Sequence, residues 1–145
     1  MKQGFRITMA RLAAIVLAAT ASIAFAGTPA QALGGESLGC RIAPGPAVDW
    51  ALVCLNHWKA PKYNAGFAVL GRSGDGYTYE WTITGPYNFI ITGCVATSYD
   101  CAVEVTGGMI DKDIEVQVRI WQGGQSVLRQ ANAFIRGFCP HGELC

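Results

Sequence analysis

Six cysteines, two histidines and two close pairs of carboxylates are the residues here whose types and spacing could do chemistry. Cys40, Cys54, Cys94, Cys101, Cys139 and Cys145 all lie beyond residue 39. An even number of cysteines in a short exported chain reads as a disulfide framework made in an oxidising compartment. Cys94 and Cys101 flank a turn-rich stretch and form the best pair. Cys40 with Cys54 and Cys139 with Cys145 would complete a local scheme. The rival scheme folds the C-terminal pair back onto Cys40 and Cys54.

The run from Cys139 to Cys145 also holds His141 and Glu143, so thiol, imidazole and carboxylate, all zinc ligands, stand close together. Oxidation of the thiols and the lack of a CxxC unit argue for a disulfide there, so neither metal nor cofactor is expected. Calcium would need oxygen ligands on loops. Asp100, Asp111 and Asp113 supply the oxygens, but their spacing fits no calcium-loop template. Hydrolysis needs a nucleophile, a base and an orienting group. The only histidines are His57 and His141, and no Gly-x-Ser-x-Gly elbow is present. Asp111 and Asp113 stand at a strand start, where acids cap turns. Of the other pair, Asp75 and Glu80, Glu80 falls on the wet face of its strand. A non-enzyme is the expectation.

Binding has better candidates. Trp50, His57, Trp58 and Tyr63 cluster in sequence beside Asn56, Lys59 and Lys62. Exposed aromatics with polar neighbours serve as platforms for sugars or as hot spots for proteins. Alternation through Leu52 and Cys54 predicts burial for Trp50. Trp58 and Tyr63, in a loop with Pro61, are expected to be exposed. Trp121 is the fourth candidate with His57, Trp58 and Tyr63, because it falls out of phase with the apolar face of its strand.

The elements that must position these residues are read from period and punctuation. Residues 1–32 have the parts of a signal peptide: Lys2, Arg6 and Arg11, then an uncharged apolar run over 12–26, then small-x-small sites ending at Ala26 and Ala32. The Ala32 site is favoured because Thr28-Pro29 makes a turn-like approach. The apolar run, about 15 residues, is short of the roughly 20 that span a bilayer. Removing 1–32 takes three of the eleven basic residues and none of the ten acidic ones, which leaves a balance of −2. Such a chain has no electrostatic footprint for nucleic acid or anionic lipid. Residues 33–47 read as a Gly/Pro-rich lead-in, 48–138 as one domain, and 139–145 as a cysteine-containing tail.

Within the domain the dominant period is two, the strand period. Tyr77, Tyr79, Trp81 and Ile83 share one face, with Thr78, Glu80 and Thr82 on the other. Ile114, Val116, Val118 and Ile120 alternate as cleanly with Glu115, Gln117 and Arg119. Gly123-Gly124 reads as a hairpin turn. The strands expected are 48–55, 65–71, 77–84, 87–92, 101–106, 113–121 and 126–136. About seven short antiparallel strands at this spacing predict an all-β sandwich, disulfide-stabilised.

The Tyr77-x-Tyr79-x-Trp81 strand, Asp111-x-Asp113 leading into a Val/Ile strand, and the Gly123-Gly124-Gln125 hairpin resemble bacterial extracellular immunoglobulin-like modules, including the PKD type. The resemblance spans roughly residues 65–136 and implies an immunoglobulin-like antiparallel β-sandwich in which Trp81 packs across the core. The chain departs from PKD domains in the turn after Trp81, where Thr84-Gly85-Pro86 stands. It departs from antibody domains in lacking cysteines in the second and sixth strands. The function expected is a secreted or cell-surface recognition module for an extracellular protein or glycan. A small secreted inhibitor presenting a pinned loop at 94–101 is the alternative. An enzyme whose site the sequence does not reveal is the third.

Overall fold

The computed structural model describes residues 33–46 and 49–145, so the signal peptide expected at 1–32 lies outside the described residues. Eight strands run in order: β1 (Ser37–Ala43), β2 (Val53–Leu55), β3 (Lys62–Leu70), β4 (Thr78–Thr84), β5 (Phe89–Gly93), β6 (Asp100–Thr106), β7 (Lys112–Gln122) and β8 (Gln125–Ile135). There is no helix among the described residues. The strands form two four-stranded sheets, ordered β1-β3-β6-β5 and β2-β8-β7-β4. Every pairing is antiparallel except β2, which lies parallel to β8.

The inner faces meet in one core. From β7 come Ile114, Val116, Val118 and Ile120, all fully buried, as their alternation predicts. β-branched side chains suit this position because their stiff rotamers pack against neighbours on a pleated surface. Facing them are Tyr63, Ala65, Phe67 and Val69 of β3 and Val103 and Val105 of β6. Gly123 and Gly124 join β7 to β8 with φ of 57° and 79°. A two-residue hairpin turn of this kind needs positive φ at both positions.

The N-terminal third corrects the sequence reading. The lead-in expected at 33–47 contains a whole strand, β1, whose Leu38, Cys40 and Ile42 point inward and are buried. The strand expected over 48–55 is only Val53–Leu55, because the chain changes sheets just before it. Cys40 and Ala51 exchange two backbone hydrogen bonds (2.7 and 3.3 Å), and one residue later the Leu52 carbonyl accepts from Asn132 N of β8 (2.9 Å). Val48, the first residue of that expected strand, and Ala47, the last of the expected lead-in, lie outside the described residues.

Two tryptophans are less covered than expected. Trp50 is half-buried, with the Arg41 guanidinium 4.4 Å from its ring centroid. Trp81 shares the inward face with buried Tyr79, as predicted, yet it and Ile83 are only half-buried. The cause is that β4 forms the edge of its sheet. The 94–99 loop covers part of that edge: Tyr79 N donates to the Ala96 carbonyl (2.9 Å) and Trp81 Nε1 to the Ser98 carbonyl (3.1 Å).

The cysteines pair locally, Cys40–Cys54, Cys94–Cys101 and Cys139–Cys145, and none is free. A buried carboxylate adds a polar tie that the sequence did not single out. Glu36 accepts hydrogen bonds from Gly34 N (2.8 Å) and the Tyr77 hydroxyl (2.9 Å), and its backbone carbonyl accepts from Arg129 Nε. Burial alone would raise its pKa. Hydrogen bonds from the backbone and Tyr77, with the nearby Arg129 charge, more than offset this and hold it below the ordinary 4.5.

Core burial and this carboxylate each carry a measurable outcome. Phe67→Ala should cost about 3–5 kcal/mol in denaturant unfolding, and Trp81→Ala less than half of that, since part of its ring is already wet. A depressed carboxylate pKa contributes stability that is present above the unfolded value and lost as pH falls through the folded value. Stability should therefore decline as the pH drops below 4.5, and Glu36→Gln should make that acid limb shallower. An unchanged acid limb would show that this carboxylate does not contribute.

Candidate functional site

Three segments far apart in sequence meet at one end of the two sheets. They are residues 59–61 before β3, residues 107–109 after β6, and residues 138–140 beyond β8. Between them lies a groove of about 370 Å³ lined chiefly by Ala60, Pro61, Tyr63, Met109, Phe138 and Pro140, with Lys59 at its rim. Its walls touch closely. A Cβ at Gly107 would strike the Ala60 carbonyl, and one at Gly137 would strike the Met109 carbonyl.

Hydrogen bonds hold each wall. The Tyr63 hydroxyl accepts from Ala60 N (2.8 Å) and donates to the Trp58 carbonyl (2.7 Å). Lys59 Nζ donates to the carbonyls of Cys139 (3.0 Å) and Pro140 (2.7 Å), strapping the tail against the 58–61 turn. Phe138 N donates to the Gly108 carbonyl (2.9 Å), and Gly137 N to Asp111 Oδ1 (2.7 Å). Behind the groove, buried Asn56 clamps Arg136: Nδ2 donates to the Arg136 carbonyl (3.1 Å) and Oδ1 accepts from Arg136 N (2.7 Å). Around this frame stand exposed Trp58 (55%) and Ile110 (79%), with Met109 and Leu144.

The four residues singled out for binding do not form one site. Trp58 is exposed as expected. Tyr63 is not: it is the first inward residue of β3 and fully buried, standing at the floor of the groove rather than on the surface. The expectation of an exposed Tyr63 is thereby corrected; Pro61 ends the turn, and the strand begins one residue later. His57 is exposed and lines a separate hollow of about 250 Å³ with Asp49, Val53 and Leu55. Among the described residues, that hollow's lining includes no serine, threonine or free thiol. Trp121 projects outward (41% exposed), opposite Thr78 and Ser126, as its phase predicts. It lies nine residues along β7 from Lys112 at the groove end, roughly 30 Å away at strand rise.

The acidic residues considered for calcium are also apart. Asp111 is engaged by Gly137 N, and Asp113 accepts from Asn132 Nδ2 (3.3 Å). Asp100 sits at the other end of β6, where Ser98 Oγ donates to it. Among the described residues no three His, Cys, Asp or Glu side chains converge to hold a metal ion. The Cys139–Cys145 bond takes both thiols out of the run considered for zinc. Nor does the 94–101 loop stand clear of the body, because the carbonyls of Ala96, Ser98 and Tyr99 accept from Tyr79, Trp81 and Val69.

The groove can therefore seat an apolar side chain beside one ammonium group. Sequence reasoning found Trp58 at its margin and missed Met109 and Phe138. Each sits in a glycine-flanked turn with no periodic signal. Compared with known proteins, the chain matches no family model, no curated protein and no solved structure. No helix among the described residues is long and apolar enough to cross a membrane.

Tyr63→Phe tests whether the hydroxyl holds the groove wall. It leaves the Ala60 N–H without its partner, so a loss of about 1–3 kcal/mol in unfolding free energy is expected. A loss near zero would mean that the 58–60 turn is held by other contacts.

Proposed function

We propose that this chain is a secreted, non-catalytic recognition module of immunoglobulin-like architecture that docks an extracellular protein at the groove end. The architecture is supported by the strand order. β1-β3-β6-β5 has the order of the ABED sheet of immunoglobulin domains, and β8-β7-β4 that of the GFC sheet, with β2 added beside β8. Trp81 then stands on the third strand of that scheme, where the family places its core tryptophan. Export is supported by the leader-like residues 1–32 and by three disulfides, which form and persist in oxidising compartments.

The observation that carries the docking reading is the framed groove itself, an apolar slot lined in part by exposed Met109, with exposed Trp58 and Ile110 next in sequence to its lining residues Lys59 and Met109. A preformed pocket that takes an anchor side chain, ringed by exposed apolar groups, is how protein hot spots are built. A sugar platform would favour two exposed aromatic rings on one surface, and the two exposed tryptophans lie at opposite ends. The test is capture from the medium of cells that secrete the chain, with Met109→Asp and Trp121→Ala compared with the unaltered protein. The expected result is one protein retained stoichiometrically in high salt, lost with Met109→Asp and kept with Trp121→Ala. Binding of an oligosaccharide instead, or retention that ignores Met109→Asp, would overturn the reading.

A further inference from the structure

Strand β5 gives nothing to the core, whereas each of the other seven strands contributes at least one buried side chain. Its Phe89, Ile90 and Ile91 are 52%, 46% and 42% exposed. Successive residues of a strand point to opposite faces. Phe89 and Ile90 pair in register with Glu104 and Val103 and so point to opposite faces, and since both are exposed β5 overhangs the core, bare on both faces.

Edge strands are ordinarily protected by charge, proline, shortness or cover. The other three edges here are protected in these ways. β1 is bridged to Ala51, β2 is three residues long, and β4 carries Glu80 and is capped by the Ala96 carbonyl. β5 carries no charge and no proline, its one irregularity is a register skip at Ile91, and among the described residues no backbone segment pairs with its outer edge. Residues 81–99, which contain it, include no Asp, Glu, Lys or Arg. The nearest acid, Glu104 on β6, is turned to Lys62 (2.9 Å) and Asn88 (2.9 Å).

We propose that a second copy of this chain pairs with β5, edge to edge about a two-fold axis, so that two four-stranded sheets become one of eight. A two-fold axis brings identical strands together antiparallel, and each side chain meets its own kind or a near neighbour. Like charges placed so would repel; an uncharged patch does not. Continuing the sheet also gives Phe89, Ile90 and Ile91 cross-strand neighbours on both faces, which a cover laid on one face would not do. The pairing with β6 skips register at Ile91, which leaves Phe89 and Ile90 paired before the skip and Thr92 and Gly93 after it. So short a contact belongs to the small, weak end of interface sizes, and the dimer dissociates on dilution. The proposal stands apart from the groove, which lies on other segments.

The test is sedimentation of the exported chain from micromolar to millimolar concentration, with amide hydrogen exchange on the same samples. Mass should rise from one chain to two, and protection at residues 88–91 should rise with it. Ile90→Lys should hold the chain monomeric while it keeps its circular dichroism and its three disulfides; Ile110→Lys, at the groove end, should dimerise normally. If Ile90→Lys fails to fold, Thr92→Lys puts the same charge on an exposed polar position of the strand. A chain that stays monomeric throughout overturns the proposal. So does a dimer indifferent to the lysine, or a β5 equally protected in the dilute monomer, which would mean that the chain covers its own edge.

Discussion

The bond between Cys40 and Cys54 is the one disulfide that joins the two sheets, because Cys40 lies on β1 and Cys54 on β2. The chain passes from one sheet to the other in the few residues between them, and β2 is too short to hold its place by pairing alone. Closing a loop of this size removes about 3 kcal/mol of unfolded-state freedom in the chain-entropy picture. The segment that leads from β2 into β3 depends on that anchorage. Asn56 reaches its clamp on Arg136, Trp58 presents its carbonyl to Tyr63, and Lys59 reaches the tail only if β2 lies along β8. The groove is thus built downstream of a covalent constraint that none of its own lining residues makes.

The three disulfides share a logic of placement. β2 buries only Cys54, β5 buries nothing, and the tail beyond Phe138 is mostly exposed. Each of these weakly packed pieces holds one disulfide or abuts one. The well-packed strands β3 and β7 hold none. Covalent constraint stands here where hydrophobic burial is thin, and burial serves where alternation is strong.

How much was legible in the sequence depends on the same division. β7 and its hairpin to β8 could be read because Ile114, Val116, Val118 and Ile120 alternate without a break and Gly123-Gly124 marks the turn. β1 was hidden because Gly34, Gly35, Gly39, Pro44 and Pro46 dominate its surroundings, although Leu38, Cys40 and Ile42 carry the strand period. Trp81 was given the right face but too much cover, since one strand's pattern does not say whether it is central or at an edge. The groove was illegible as a unit: Lys59, Met109 and Phe138 come from three turns that only the sheet order brings together. Tyr63 reads as a loop residue because Pro61 masks the start of the alternation Tyr63, Ala65, Phe67 and Val69.

The cysteines also bond strictly in chain order, first with second, third with fourth, fifth with sixth, across separations of 14, 7 and 6 residues. A polypeptide threaded N-terminus first into an oxidising space presents each partner soon after its mate, before the next pair arrives. Every correct bond can then be the first one available. Such a chain can mature by simple oxidation in order of emergence, with little need of enzymes that reshuffle wrong pairs.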